Sequence, residues 1–337
     1  MRKRLRCSDR HCKWSGLESD VLVEGEELRA CPQGRLSGPL GGNAMTIPQG
    51  DTYKVLSFGA GVQSTALMLA ACRGDLPGGE RPDVAIFADT QWEPKEVMAH
   101  LKDMIDWAKD HDLELCTVTA GSIRTPRGAS TMPLHLKQPD GSNALIPRQC
   151  TDNYKIEPIR KEIRRRLGYR KGQRWRHHLE TWIGISTDEV SRMKPSQEKW
   201  ETVRWPLIEL GWSREDCKRY SEKVLGRQPV KSSCSGCPFH SPRYFAEMRK
   251  RRPEEFSDVV EFDQWLRTVP KITREQAKAA QERIRTGKKR TGDDMWSLGI
   301  LKGTPYLHPS RTPLAESYND LDQLELFDNE CSGYCNS

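Results

Sequence analysis

"KVLSFGAGVQSTALML", from Lys54 to Leu69, is the stretch on which the fold turns. With Tyr53 in front, its first part is an apolar, β-prone run that reads as a buried strand, and Val62 to Cys72 reads as a helix. Between them stand Gly59, Ala60 and Gly61. The glycines let the backbone approach a ligand and adopt positive φ where a bend requires it. A helix starting there aims its first N–H groups and its partial positive charge at the bend, and Ser64 and Thr65 add hydroxyl donors. This is a phosphate-type corner, although it has neither the lysine of a Walker loop nor the G-x-G-x-x-G spacing. A small-residue turn of this kind is also compatible with a purely structural role.

Outward from this stretch, strands and helices alternate. "DVAIFAD" reads as a second strand, followed by a helix from Pro94 to Lys109, and "LELCTVTA" as a third strand. Beyond a Gly/Pro/Ser-rich loop come the helix "DNYKIEPIRKEIRRRLG" and the strand "ETWIGIS". Such alternation implies an α/β fold, a Rossmann-like doubly wound parallel sheet with helices on both faces and ligands at the carboxyl ends of its strands. After Gly211 the pattern turns helical, with helices expected near Ser213–Leu225, Pro242–Arg252, Pro253–Arg267 and Thr273–Thr286. Three regions result: an N-terminal extension (1–50), an α/β nucleotide-binding domain (51–212) and a helical, cysteine-bearing C-terminal region (213–337).

The chain has 337 residues, a formal net charge of +7 and eleven cysteines. Its mean hydropathy of −0.75 and the lack of a long apolar run exclude a transmembrane helix. No apolar segment follows the basic N-terminus, so a cytoplasmic, reducing location is expected, where cysteines serve metal or thiol chemistry more than disulfides. The positive charge suits an anionic partner, a nucleotide or a nucleic acid, and is also common among ordinary enzymes. Within the extension, Cys7, Cys12 and Cys31 with His11 make most of a zinc ribbon, or a degenerate remnant of one. Met45 is a candidate start for the catalytic unit.

"SFGAGVQST" resembles the pyrophosphate-binding loop (PP-loop) of the adenine nucleotide α-hydrolase superfamily, S-G-G-x-D-S, with Gly59, Ala60, Gly61, Val62, Gln63 and Ser64 in its six places. Gln63 in place of Asp, and the S-F-G beginning at Ser57, are similar to the phosphoadenosine phosphosulfate (PAPS) reductase branch. "IFADTQWEPKE" resembles that family's second-strand motif, which implies Asp89 and Thr90 at the nucleotide, with Asp89 on ribose hydroxyls or a metal such as Mg. A turn-forming Asp is the plain alternative. "GISTDEVSRMKP" and "WPLIELGWSREDC" resemble later family segments, keeping Glu189 and Arg192. The resemblance implies a site for ATP, adenosine phosphosulfate (APS) or PAPS built from Ser57, Gly59, Ala60, Gly61, Gln63, Ser64, Thr65, Asp89, Thr90, Lys155 and Arg192.

"SSCSGCPFH" places Cys234 and Cys237 in a C-x-x-C knuckle, which suits a metal, two irons of a cluster, or a redox pair. "RQCTDNYKIEPIRK" resembles the segment of iron–sulfur APS reductases that carries a Cys-Cys pair, with Cys150 on the first place and Thr151 on the second. Cys150 stands 84 residues before Cys234, close to that family's separation. The resemblance thus implies Cys150, Cys234 and Cys237 as ligands of a [4Fe–4S] cluster, with Cys217 or Cys335 as candidates for the fourth; zinc or inert thiols are the alternatives. His240 reads as a hydrogen-bonded structural residue. The tail "ECSGYC" resembles the reductases' E-C-G-L-H, making Cys331 the candidate nucleophile. The implied reaction is thiol-dependent reduction of a sulfonucleotide to sulfite, with a thioredoxin-like reductant. Two other classes stay open. One is ATP-dependent sulfur insertion into tRNA or DNA; the other is a non-catalytic nucleotide or nucleic-acid binder. The basic stretch Arg148–Arg176 suits the nucleotide's phosphates, a nucleic acid with Trp175 and Trp182 as stacking platforms, or a solvated helix face.

Overall fold

The computed structural model describes residues 52–268 and 303–317, five short strands before residue 38 and the isolated positions 279, 282 and 286. The chain divides into two compact units, residues 1–46 and 47–337. In the first, Arg4–Cys7 pairs antiparallel with Ser15–Leu17 and with Leu36–Ser37, and Leu22–Glu24 forms a hairpin with Glu27–Arg29. His11, Cys12 and Cys31 lie outside the described residues, as do Cys331, Cys335 and most of the helix expected at Thr273–Thr286.

The second unit is built on the alternation expected from the sequence. Its elements run β1 (Thr52–Phe58), α1 (Val62–Arg73), β2 (Val84–Asp89), α2 (Lys95–Asp110), β3 (Leu115–Thr119) and a short α3 (Pro126–Ala129). The hairpin β4 (His135–Lys137) and β5 (Asn143–Leu145) precedes α4 (Glu157–Arg166), β6 (His178–Ile183), β7 (Glu201–Arg204), α5 (Pro206–Glu209) and α6 (Arg214–Leu225). Last come α7 (Pro242–Arg251), α8 (Pro253–Thr268) and β8 (Thr304–Tyr306). Five strands form one parallel sheet in the order β7-β6-β1-β2-β3. The order reverses between β1 and β6, and that switch point is where open α/β sheets leave a crevice.

Side chains alternate across β1, as a strand requires. Leu56 and Phe58 pack with α1, α2 and α6, while Tyr53 and Val55 pack with Ile159 and Ile163 of α4. Ser57 shares the α4 side. Helix α1 is buried from Val62 to Ala71 because α6 covers the side turned away from the sheet. It stops at Gly74, whose φ of 75° is the left-handed conformation of a helix C-cap. Helix α6 begins with Ser213 and Asp216 bonding each other's backbone N–H, and ends at Gly226 with φ 71°.

A second apolar cluster joins Trp92, Ile123, Leu134 and Tyr154 to α7, α8 and Leu307. The antiparallel sheet β5-β4-β8 flanks it. Neither this small sheet nor β7 is among the strands expected from the sequence. The helix expected from Asp152 begins differently as well. Asp152–Ile156 forms a π-helical turn before regular α-helix starts at Glu157.

Candidate functional site

The β1–α1 corner lies at the carboxyl end of β1, beside the switch point. Gly59 is exposed; Ala60 is fully buried at φ +52°, a left-handed conformation that strains a residue with a Cβ. Gly61 precedes α1, its N–H donating to Ser64 Oγ at 3.2 Å, and Ser64 Oγ is also 3.2 Å from Gly61 O. Of the two flanking glycines, Gly61 is the one held by close approach; a Cβ on Gly59 would meet nothing nearer than 3.7 Å. A Cβ on Gly61 would lie 2.7 Å from Ser232 Oγ, so the segment before Cys234 sits against the corner with its hydroxyl. Gln63 is buried, and its Nε2 has no hydrogen-bond partner. Thr65 does not face the bend. Its hydroxyl lies in the core, 2.9 Å from His100 Nε2.

Gly184, just past β6, closes the other side of the corner. A Cβ there would lie 2.8 Å from Ser64 N and 2.9 Å from Gln63 C, both backbone atoms that cannot swing away. Gly184→Ala should therefore push the start of α1 off β6, costing about 1–3 kcal/mol of stability. Pyrophosphate affinity, followed by calorimetry, should fall at least about tenfold, roughly 1.4 kcal/mol. An unchanged melting temperature and affinity would show that this contact does not shape the corner.

On the β2 side, Asp89 Oδ1 accepts Gln91 N–H at 2.6 Å, so its carboxylate closes a turn in which Gln91 has φ +57°. Thr90 is buried and donates to Glu93 Oε1 at 3.0 Å, and its hydroxyl lies 3.2 Å from Cys234 Sγ. Cys234 Sγ is in turn 3.5 Å from Glu93 Oε1. The C-x-x-C knuckle is fastened to this loop through Trp92. Ser235 N–H donates to Trp92 O at 2.9 Å, and a Cβ on Gly236 would lie 2.0 Å from the Trp92 ring. Only glycine fits at Gly236, because Trp92 is held by a 2.9 Å bond to Asp258 and by Phe262.

Lys155, on the π-helical turn, meets the thiols. Burial alone would lower its ammonium's pKa, but Cys234, Glu93 and Cys150 act against this and the net direction is upward, so Lys155 is charged. Burial pushes the Cys234 thiol upward, Glu93 adds to it, and Lys155 opposes. Cys234 is therefore held as a neutral thiol. His240 accounts for none of this chemistry. Its Nε2 lies 2.9 Å from Cys234 O, its ring stacks on Tyr244, and burial holds its pKa down to about 3.

The structure thus brings Cys150, Cys234 and Cys237 into the electrostatic neighbourhood of Lys155 and Cys234. It does not assemble a metal centre: among the described residues no three His, Cys, Asp or Glu side chains converge as ligands. Cys217 is fully buried in the core on α6, with burial raising its thiol to about 12, so it does not complete the set.

Beside the corner, a cleft of about 510 Å³ runs between α4 and strands β6 and β7. Ile156, Ile159, Leu179, Ile183 and Val203 supply its apolar lining. Arg148, Lys155, Arg160, Arg192 and Lys194 bring positive charge, opposed by Asp152, Glu198 and Glu201. Ser57, Lys155 and Arg192, assigned to nucleotide binding by sequence resemblance, share this cleft, whereas the Gly59–Thr65 corner adjoins it through Gly184. Arg192 also pairs with Glu189 at 2.6 Å. Glu93, Ser232 and Trp205 are absent from the sequence-based assignment. All three lie within quoted motifs, Ser232 as the first residue of "SSCSGCPFH".

The basic stretch is largely engaged within the molecule. Lys161 pairs with Glu157, Arg165 with Glu162, and Arg166 with Glu114 and Glu162. Arg164 donates to the Arg170 and Gln173 carbonyls. Trp175 stacks on Trp200 at 4.2 Å, and Trp182 is fully buried, so Trp182 is no platform for bases. In comparisons with known proteins, no family model and no curated protein matches the chain.

Proposed function

We propose that the chain is a nucleotide-binding enzyme of sulfur metabolism, similar to the PAPS and APS reductases of the PP-loop superfamily. The observation that carries this reading is the corner Gly59–Gly61. It stands at the sheet's switch point and leads into the N-terminus of α1, next to a cationic cleft, with Ser232 of the segment before Cys234 against Gly61. The strained, buried Ala60 adds support, since such conformations concentrate at ligand-holding bends. Phosphates would be held by the free N–H groups of α1 and by Ser64 and Ser232. Lys155 and Arg192 would neutralise the remaining charge. Asp89 supports the loop beside the ribose rather than acting through a free carboxylate.

In the proposed reaction the Cys331 thiolate attacks the sulfonyl sulfur. The S–O bond to the nucleotide breaks, an adenosine phosphate leaves, and an enzyme thiosulfonate forms. A thioredoxin-like dithiol then releases sulfite and becomes a disulfide. No step is assigned to an iron–sulfur cluster, zinc or Mg, because no three-ligand set stands among the described residues. The test is sulfite release from APS and PAPS with reduced thioredoxin. Activity abolished by Cys331→Ser, with nucleotide binding retained, is the expected result. Turnover of ATP to AMP only with tRNA or DNA present would replace this reading with nucleic-acid thiolation.

A further inference from the structure

One part of the basic stretch is not engaged within the molecule, and it lies between α4 and β6. From Leu167 to His177 the chain has no acidic residue, and Arg170, Lys171, Arg174 and Arg176 are all exposed. Among the described residues none of these four side chains meets a carboxylate. One turn earlier the same run behaves differently, with Lys161, Arg165 and Arg166 paired to Glu157, Glu162 and Glu114. Such pairs are what a solvated helix face carries. The loop carries none.

The loop is also firmly braced. Arg164 Nη2 donates to the Arg170 and Gln173 carbonyls at 3.0 and 2.7 Å, and Gln173 Oε1 accepts Arg170 N–H at 2.9 Å. The Tyr169 hydroxyl accepts the N–H groups of Arg176 and His177 at 2.6 and 3.0 Å. Trp175 stacks on Trp200 at 4.2 Å, with Arg164 over the first ring and Arg160 over the second. Lys199, exposed beside Trp200, adds a fifth cation next to the exposed Glu198. Four like charges fixed on one loop repel each other, and an anionic partner relieves that cost.

The class of partner follows from what the surface lacks. The large exposed apolar side chains among the described residues are Met98, Leu145, Ile156 and Val190, and none lies on this loop. Protein interfaces are anchored by an apolar or aromatic core, and membrane surfaces by inserted apolar groups. Single-stranded nucleic acid is gripped by stacking its bases on aromatic rings. Here the two indoles are already stacked on each other and overlaid by guanidiniums. A duplex keeps its bases stacked within itself and offers a regular row of phosphates.

We propose that the α4–β6 loop is a docking surface for duplex nucleic acid, with Arg170, Lys171, Arg174 and Arg176 contacting phosphates and Lys199 beside them. The loop enters the amino end of β6, whereas the Gly59–Gly61 corner follows the carboxyl end of the parallel strand β1. The surface is therefore separate from that corner and goes beyond the nucleotide reading.

Fluorescence anisotropy of a labelled, mixed-sequence DNA duplex of about 20 base pairs, titrated with the full-length protein, tests this. Four phosphate contacts predict a log–log salt slope of about −3.6, or binding roughly 150-fold weaker at 200 mM than at 50 mM salt. The combined variant Arg170→Gln, Lys171→Gln, Arg174→Gln, Arg176→Gln should bind at least about 100-fold more weakly at low salt and keep its melting temperature. Lys102→Gln, Lys109→Gln, Lys223→Gln and Lys250→Gln together remove the same charge from exposed lysines elsewhere, and should stay within about threefold of wild type. Unlabelled duplex RNA and DNA, used as competitors, show which source binds tighter, and displacement by either supports the surface. No duplex binding at low salt, or an equal loss in the two combined variants, overturns it. So does tighter binding of a single strand, of polyglutamate or of phosphatidylserine vesicles than of the duplex. Pyrophosphate binding reports on the corner alone, so the two readings fail separately.

Discussion

Acidification from pH 7 to pH 4 should unfold this protein, and the steepest loss of stability should fall between about pH 6.5 and 4. Three buried histidines are held neutral. Burial lowers His100 to about 4, with Arg227 adding to it, and lowers His308 to about 4, with His135 adding to it. Burial likewise lowers His240 to about 3. Each has a folded pKa below the ordinary value of 6.5, so the unfolded chain binds more protons throughout that window. Their stabilisation is therefore complete above the unfolded pKa and is lost as the pH falls toward the folded one. At about 1.4 kcal/mol per pKa unit, His100 and His308 together represent on the order of 5 kcal/mol by pH 4. His240 adds more, against a total stability of roughly 5–15 kcal/mol. Urea midpoints at pH 7, 6, 5 and 4.5 measure the slope. A His100→Gln, His308→Gln double variant should flatten it, and a wild-type midpoint that does not move with pH would refute the assignment.

Asp263→Ala should cost about 3–5 kcal/mol, the scale of removing one partner from a buried ion pair. Asp263 lies on α8 and is fully buried. Its Oδ1 accepts Leu307 N–H at 3.0 Å; its Oδ2 accepts Leu314 N–H at 3.0 Å and Arg267 Nη1–H at 2.7 Å. One carboxylate therefore satisfies two backbone donors from a segment more than 40 residues away, and a guanidinium on its own helix, and fixes residues 303–317 to α8. Alanine leaves the Leu307 and Leu314 N–H groups buried and unanswered and removes the partner of the half-buried Arg267. The expected readouts are a large fall in melting temperature and new tryptic cleavage at Arg311. Asp263→Asn retains one acceptor oxygen and should recover only part of the loss. A melting temperature within one or two degrees of wild type would mean that the apolar packing of Leu307 and Leu314 suffices without the carboxylate.

Much of the sheet was legible because its buried strands are short apolar runs between helices of clear period, as in β1, β2 and β6. Strand β7 was not. Glu201, Thr202, Val203 and Arg204 make no apolar run, because an edge strand beside an open cleft has no fully buried face. The π-helical turn at Asp152–Ile156 is likewise invisible, since a single extra residue in a turn leaves composition unchanged. In the site, the C-x-x-C spacing places Cys234 and Cys237 on one turn, and Lys155, singled out by resemblance, lies on the wall of the cleft. What sequence could not give was direction. Thr65 turns into the core toward His100, and Asp89 turns back on Gln91. Asp263 carried no signal at all, being one acid among several on α8.

Lys155 is a wall of the cleft and also a cation that acts on the Cys234 thiol. Two compartments that share one ammonium cannot be filled independently. A negative guest on one side draws on the same charge that would otherwise ease the loss of a proton from Cys234 on the other, so occupancy and thiol acidity must vary together.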